Sequence, residues 1–294
     1  MFFLPVCDEE ASRMEVVLAE LERDAAGKRV VQLVNDRGGV CQESMPELLE
    51  ARVAHELVLA NREFAYEYAT GVGNTTVDFL VEGHAQVLLE VASLRDSEGV
   101  KSAYRSEGPF TTFHLSSDNL RDAEREMQSI EAEVVVLQRK LGEKVYASGR
   151  PIKFPEPQDG RYHVILMDVR RLFGGGEDMR SLVSELRLAC FGHSDVAYVE
   201  GHRFRIGAGV PDGTGNTQHL RGIFEDGSHP IAAVPWLRSR IHAIHFVCET
   251  RFTAGELSGE GSTPSIAVMA NPFLLPTKGH RDAFREAYPL MPKR

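Results

Sequence analysis

Apolar residues recur at helical spacing in the segment 9–24, where Met14, Val17, Leu18 and Leu21 share one side, and predict an amphipathic helix ending near Gly27. Arg29-Val30-Val31-Gln32-Leu33-Val34 is a short β-like run, closed by the turn-forming Asn35-Asp36-Arg37-Gly38-Gly39. Ser44 has the character of an N-cap, with Pro46 in the first turn and Glu47 three residues after the cap; the helix then runs through Leu48, Leu49, Val53, Leu57 and Ala60. Three β-type segments follow, 64–68, 75–81 and 86–91, separated by Gly71-Val72-Gly73-Asn74 and Glu82-Gly83-His84. Alternation of Val77, Phe79 and Val81 with Thr76, Asp78 and Leu80 fits a sheet with one well-buried face.

Further along, 109–115 reads as another strand. Ser116-Ser117-Asp118 caps a long helical pattern from Leu120 to about Ala147, with Met127, Ile130, Val134, Leu137 and Leu141 on one side. The proline-containing stretch 149–160 is a loop, and the near-continuous apolar run 162–169 predicts a strand covered on both faces. A helix is expected from Glu177 to about Cys190, strands at 241–249 and 265–269, and a short helix at 281–288, with loops at 211–216 and 254–264. The order predicts an α/β protein, a mixed central sheet flanked by helices with a C-terminal α+β extension. Its expected parts are an N-terminal helix and linker (1–44), a core (45–195) and an extension packed on that core (196–294).

Composition is that of an ordinary globular chain, 43% hydrophobic and 26% charged. No stretch approaches the roughly 20 apolar residues of a membrane helix. The apolar start Met1–Val6 lacks a basic flank and runs into Asp8-Glu9-Glu10, unlike a secretory signal. Cys7, Cys41, Cys190 and Cys248 are scattered, which suits buried or half-buried thiols in a reducing cytoplasm. The net charge of −10 lies unevenly: residues 1–200 hold 22 Lys+Arg against 35 Asp+Glu, and residues 201–294 hold 11 against 8. This is not the basic profile of a protein that coats nucleic acid, so contact with a nucleic acid would need a local groove or bridging metal ions.

The candidate chemistry sits on the second and third of the consecutive strands. Asp78 lies on one and Glu90 on the next, and a hairpin turning near 82–84 brings both to one face, within reach of a single divalent ion. Mg2+ takes one or two carboxylates and leaves its other positions to water and phosphate oxygens. An acid inside Val87-Leu88-Leu89-Glu90-Val91 is itself unusual and marks a site candidate.

Val77-Asp78-Phe79-Leu80-Val81 followed by Val87-Leu88-Leu89-Glu90-Val91, on the order helix, three strands, helix, strand, resembles the PD-(D/E)XK, or restriction-endonuclease-like, nuclease superfamily over residues 45–170. The resemblance implies a metal-dependent nuclease acting on DNA, with Asp78 and Glu90 holding Mg2+ or Mn2+. It also implies a Glu from the preceding helix: Glu50 matches first and Glu56 second. Two positions depart from the pattern: Val77 stands for the usual Pro, and Ala92 for the lysine of Glu-x-Lys. Some members of the superfamily carry that lysine on the following helix, where Lys140 and Lys144 share a face; lysines in such a pattern more often form a solvated helix face. The alternative reading is a catalytically inactive nuclease fold that binds nucleic acid or protein. A homodimer is compatible with the mildly basic extension.

Other motifs carry less. Gly174-Gly175-Gly176 lacks the Lys-Ser/Thr of a phosphate loop, and Glu177-Asp178 would repel phosphate, so it reads as a flexible connection. On a strand the middle residue of His242-x-x-His245-x-x-Cys248 faces the opposite side, which makes the motif structural. Ser-His-Asp catalysis has no Gly-x-Ser-x-Gly elbow to support it.

Overall fold

The computed structural model describes residues 8–41, 43–107, 110–113, 130–174, 179–192, 194–199, 202–207, 210–211, 217–218, 220–247 and 266–291. A six-stranded sheet forms its centre: β1 (Phe64–Ala69), β2 (Thr76–Val81), β3 (Gln86–Ser93), β4 (Arg161–Asp168), β5 (Ala243–Val247) and β6 (Ile266–Ala270), in that spatial order. Short hairpin turns make β1, β2 and β3 an antiparallel meander. β4 then lies parallel to β3, and β5 parallel to β4, because a helical crossover precedes each. β6 closes the sheet antiparallel to β5.

Helices cover both faces. On one side lie α1 (Asp8–Leu21), α2 (Gly27–Asp36) and α3 (Met45–Leu59). Met14, Leu21, Val30, Val34, Leu49 and Leu57 pack there against Phe79, Val87, Leu89, Val164 and Leu166. On the other side α5 (Ile130–Glu143), α6 (Met179–Phe191) and α7 (Val234–Arg240) set Leu137, Leu141, Leu186 and Leu237 against Leu80, Leu88, Ile165 and Ile244. Alternation along β4 sends Val164 and Leu166 one way and Ile165 and Met167 the other, which is why its sequence is apolar throughout. Each such fully buried side chain contributes roughly 1.5–3 kcal/mol. Gly142 lets α5 approach α7 closely, since a Cβ there would sit 2.7 Å from the Ala233 Cβ. α4 (Glu98–Ala103) is a single capped turn, with Ser97 accepting from the Val100 N–H at 2.9 Å.

Several expectations change. The run 29–34 is helical: Val30, Val31 and Val34 form the buried side of α2, and their burial against α3 overrides the β preference of valine. Ser44 makes no capping bond to α3; its hydroxyl donates back to the Gly39 and Cys41 carbonyls. The strand expected at 109–115 appears as 110–113, paired with Tyr104–Glu107 apart from the main sheet. The long helix is seen over 130–143; its expected earlier part, like 175–178, 212–216, 254–264, Cys7 and Cys248, lies outside the described residues. Residues from 234 onward continue the core: β5 and β6 extend the central sheet, and α8 (Lys278–Ala287) and the residues after it bring Phe284, Tyr288 and Leu290 into the first apolar layer. Among the described residues no helix is long and apolar enough to cross a membrane.

Candidate active site

The register of β2 on β3 pairs Val81 with Val87, Leu80 with Leu88 and Phe79 with Leu89. One step on, Asp78 stands opposite Glu90; Glu90 continues the face of Leu88, while the alternation of β2 breaks at Asp78, since Val77 joins the layer of Leu80. The ladder stops there. Asp78 Oδ2 accepts the Val91 N–H at 2.6 Å, replacing a backbone carbonyl with a carboxylate. On the other edge of β2 one register holds from Phe64–Val81 to Ala69–Thr76, but Glu67, whose φ of 52° lies in the left-handed region, does not pair with Asp78. Backbone pairing is therefore interrupted on both sides of Asp78.

Glu90 is only 1% exposed, and its Oε1 receives two ammonium groups, Lys144 Nζ at 2.9 Å and Lys153 Nζ at 2.6 Å. Lys144 follows the last turn of α5, whose Leu137 and Leu141 pack in the same apolar layer as Leu88; that packing lays the end of the helix over Glu90. Lys153 arrives from the loop beyond. There Tyr146–Ala147 pairs with Arg150–Pro151 around Ser148 and Gly149, both at positive φ as a two-residue hairpin requires. Glu90 Oε2 is buried and has no hydrogen-bond partner among the described residues.

Glu50 reaches the cluster from α3 and accepts a hydrogen bond from the Tyr66 hydroxyl. Burial pushes its pKa up to about 7, helped by the nearby negative charges of Glu90 and Glu47, while the Tyr66 bond and Lys144 pull it down. Asp78 is also raised well above the carboxylate range, by burial first and then by Glu90 and Glu50; Lys153 and the Val91 N–H oppose the rise. Burial works against the charge on Lys144, but Glu90, Asp78 and Glu50 outweigh it and raise its pKa. Tyr66 is raised by burial and by Glu50.

Asp78, Glu90, Glu50 and Lys144 thus come together. Lys140 does not: its ammonium pairs with Glu143 at 2.8 Å on the exposed side of α5. The shared face expected for Lys140 and Lys144 is lost because the helix ends at Glu143 and the chain turns inward. Lys153 and Tyr66 were not anticipated. The signal for Lys153 is present in Ile152 and Phe154, apolar residues on either side of it in a loop, which mark a segment packed down on the core rather than held in water.

The donor set suits a hard divalent cation in part. Among the described residues no three His, Cys, Asp or Glu side chains form a ready-made metal cage. Two facing carboxylates are nonetheless what Mg2+ takes from a protein, and the orphaned Glu90 Oε2 and the raised Asp78 are what under-compensated acids produce. Comparison of the chain with protein-family models, with curated proteins and with solved structures gives no match in any of the three.

Proposed function

We infer that the chain is a divalent-metal-dependent nuclease of the PD-(D/E)XK type, hydrolysing phosphodiester bonds in DNA. The observation that carries this reading is the meeting of Asp78, Glu90 and Glu50 with an ammonium on Glu90, although the third-strand lysine position is Ala92. Ala92 follows Glu90 by two residues on the same face and is buried in the second apolar layer, so a basic group has to come from elsewhere in the chain.

Asp78 and Glu90 would hold Mg2+ or Mn2+. Such an ion neutralises charge on the scissile phosphate and lowers the pKa of an attacking water. Glu50 keeps a proton close to neutral pH and shares its carboxylate with Tyr66, which suits it to orient water rather than to bind the ion. An ammonium next to Glu90 would supply positive charge where phosphate enters, so an acidic protein can meet DNA at one point without a basic surface.

One observation favours a second reading: both ammonium groups already sit on Glu90 Oε1, as they would in a non-catalytic protein that binds nucleic acid or another protein. Incubating plasmid and single-stranded DNA with Mg2+ or Mn2+, wild type beside Glu90→Ala, separates the two. The nuclease reading expects cleavage by wild type and none by the variant; equal behaviour of both rejects it.

A further inference from the structure

We propose that Lys153 is the catalytic ammonium of this site, the group that meets the scissile phosphate, and that Lys144 is the structural counter-ion of Glu90 and Glu50. The proposal rests on the nuclease reading and gives it a residue that no motif contains.

The two lysines share one carboxylate oxygen but differ in how they are held and in what else they face. Lys144 is the first residue beyond α5, and its N–H donates to the Leu141 carbonyl at 3.2 Å, a continuation of the helix end. Lys153 is fixed on every side. Its N–H donates to Thr75 Oγ1 at 2.8 Å, and that hydroxyl donates to the Val72 carbonyl at 2.7 Å. Thr75 precedes β2, so Lys153 is tied directly to the strand that carries Asp78. On one side of it the Ile152 N–H donates to the Val145 carbonyl at 2.9 Å. On the other, Phe154 is fully buried, and its carbonyl accepts from Arg240 Nη1 at 2.6 Å.

Lys153 itself has a φ of 62°, a left-handed conformation that a long side chain rarely adopts. Strain maintained by so many surrounding contacts is characteristic of residues whose direction matters to function. The geometry ties Lys153 to both acid-bearing strands: its ammonium lies 2.6 Å from Glu90 Oε1, and its N–H is bonded to Thr75 at the start of the strand of Asp78. Lys153 is thus the ammonium held on Glu90 by its side chain and on the approach to the Asp78 strand by its backbone.

In the reaction a water oxygen bonds to phosphorus and one phosphorus–oxygen ester bond breaks. One water proton ends on the released hydroxyl and the other passes to solvent. Lys153 keeps its protons throughout and acts by stabilising charge on the non-bridging phosphate oxygens.

The test uses the full chain with Lys153→Met, Lys153→Arg and Lys144→Met, and two measurements. The first is steady-state cleavage of plasmid with Mg2+. Lys153→Met is expected to lower kcat by about 100-fold with KM changed less than about threefold, Lys153→Arg to recover part of the loss, and Lys144→Met to keep kcat within about tenfold of wild type. The second is the rise in melting temperature produced by Mg2+ alone. It should be larger in Lys153→Met than in wild type, because removing a cation leaves Asp78 and Glu90 less compensated. An unchanged kcat in Lys153→Met, or equal losses in the two methionine variants, overturns the assignment of Lys153 while leaving an active nuclease. A wild type that does not cut overturns the nuclease reading and the assignment with it.

Discussion

Among the described residues, two of the buried groups of titratable side chains solve burial in opposite ways. Around Glu90, three acids and two lysines are crowded together, and the pKa values of Asp78 and Glu50 are pushed up. Around β4 and β5, His163, His242 and His245 are buried and neutral. His163 Nδ1 donates to the Arg240 carbonyl at 2.8 Å, His242 Nδ1 accepts the His163 N–H at 3.0 Å, and His245 Nδ1 shares a hydrogen bond with the Tyr288 hydroxyl at 2.7 Å. Burial lowers His163, His242 and His245 to about 3, 4 and 3. The histidines avoid charge and serve the fold. The acids crowd one another, and burial with mutual repulsion raises Asp78 and Glu50 toward their protonated forms, a perturbation that clusters at functional sites.

The largest expected consequence of this contrast is in activity. Glu90→Ala should reduce DNA cleavage by about 10³-fold or more, since it removes a proposed ion ligand and the anchor of both lysines. Its effect on melting temperature should be disproportionately small, because the variant also relieves repulsion on Asp78 and Glu50.

Next is the dependence of stability on pH without metal, where the two groups have opposite signs. Glu50 is raised from 4.5 to about 7, so it stays protonated in the fold while the unfolded chain has already ionised. Its contribution is full below pH 4.5 and falls as pH rises to about 7, by up to roughly 3 kcal/mol. Glu50→Gln should shrink that falling limb in denaturant titrations at several pH values and leave the part due to Asp78, which burial also raises. The histidines contribute fully above their ordinary value of 6.5 and lose stability as pH falls toward 3–4. That limb should survive Glu50→Gln unchanged.

A smaller effect comes from the histidine side. His245→Phe keeps the volume but leaves the fully buried Tyr288 hydroxyl without its partner, and should cost about 2 kcal/mol in urea unfolding with cleavage unaffected. Smallest of all is Lys140→Ala. Its ion pair with Glu143 is exposed on both sides, so stability should change by less than about 0.5 kcal/mol and the rate of cleavage not at all.

How far the sequence revealed this arrangement differs from residue to residue. The meander and β4 were legible because alternation and continuous apolar runs report burial directly, and the facing of Asp78 and Glu90 followed from turn length alone. The helix over 27–36 was not, because valine-rich stretches fit strand and helix equally until the partner surface is known. The sharing of a face by Lys140 and Lys144 depended on a helix extending to about 147, whereas it ends at Glu143. Lys153 had only the weak signal of its apolar neighbours Ile152 and Phe154, for a different reason. It is brought to Glu90 by a hairpin, by a threonine far away in sequence and by a packed phenylalanine, none of which has a periodicity to read.

One amide group has a double role. The Val91 N–H, which in an uninterrupted sheet would belong to the neighbouring backbone, is bonded instead to Asp78. Any change in that carboxylate, whether a proton gained or a cation bound, is therefore also a change in the last rung joining two strands. The scaffold and its reactive end share a rivet, and the solvent exchange of this single hydrogen becomes a gauge of the centre's electrical state.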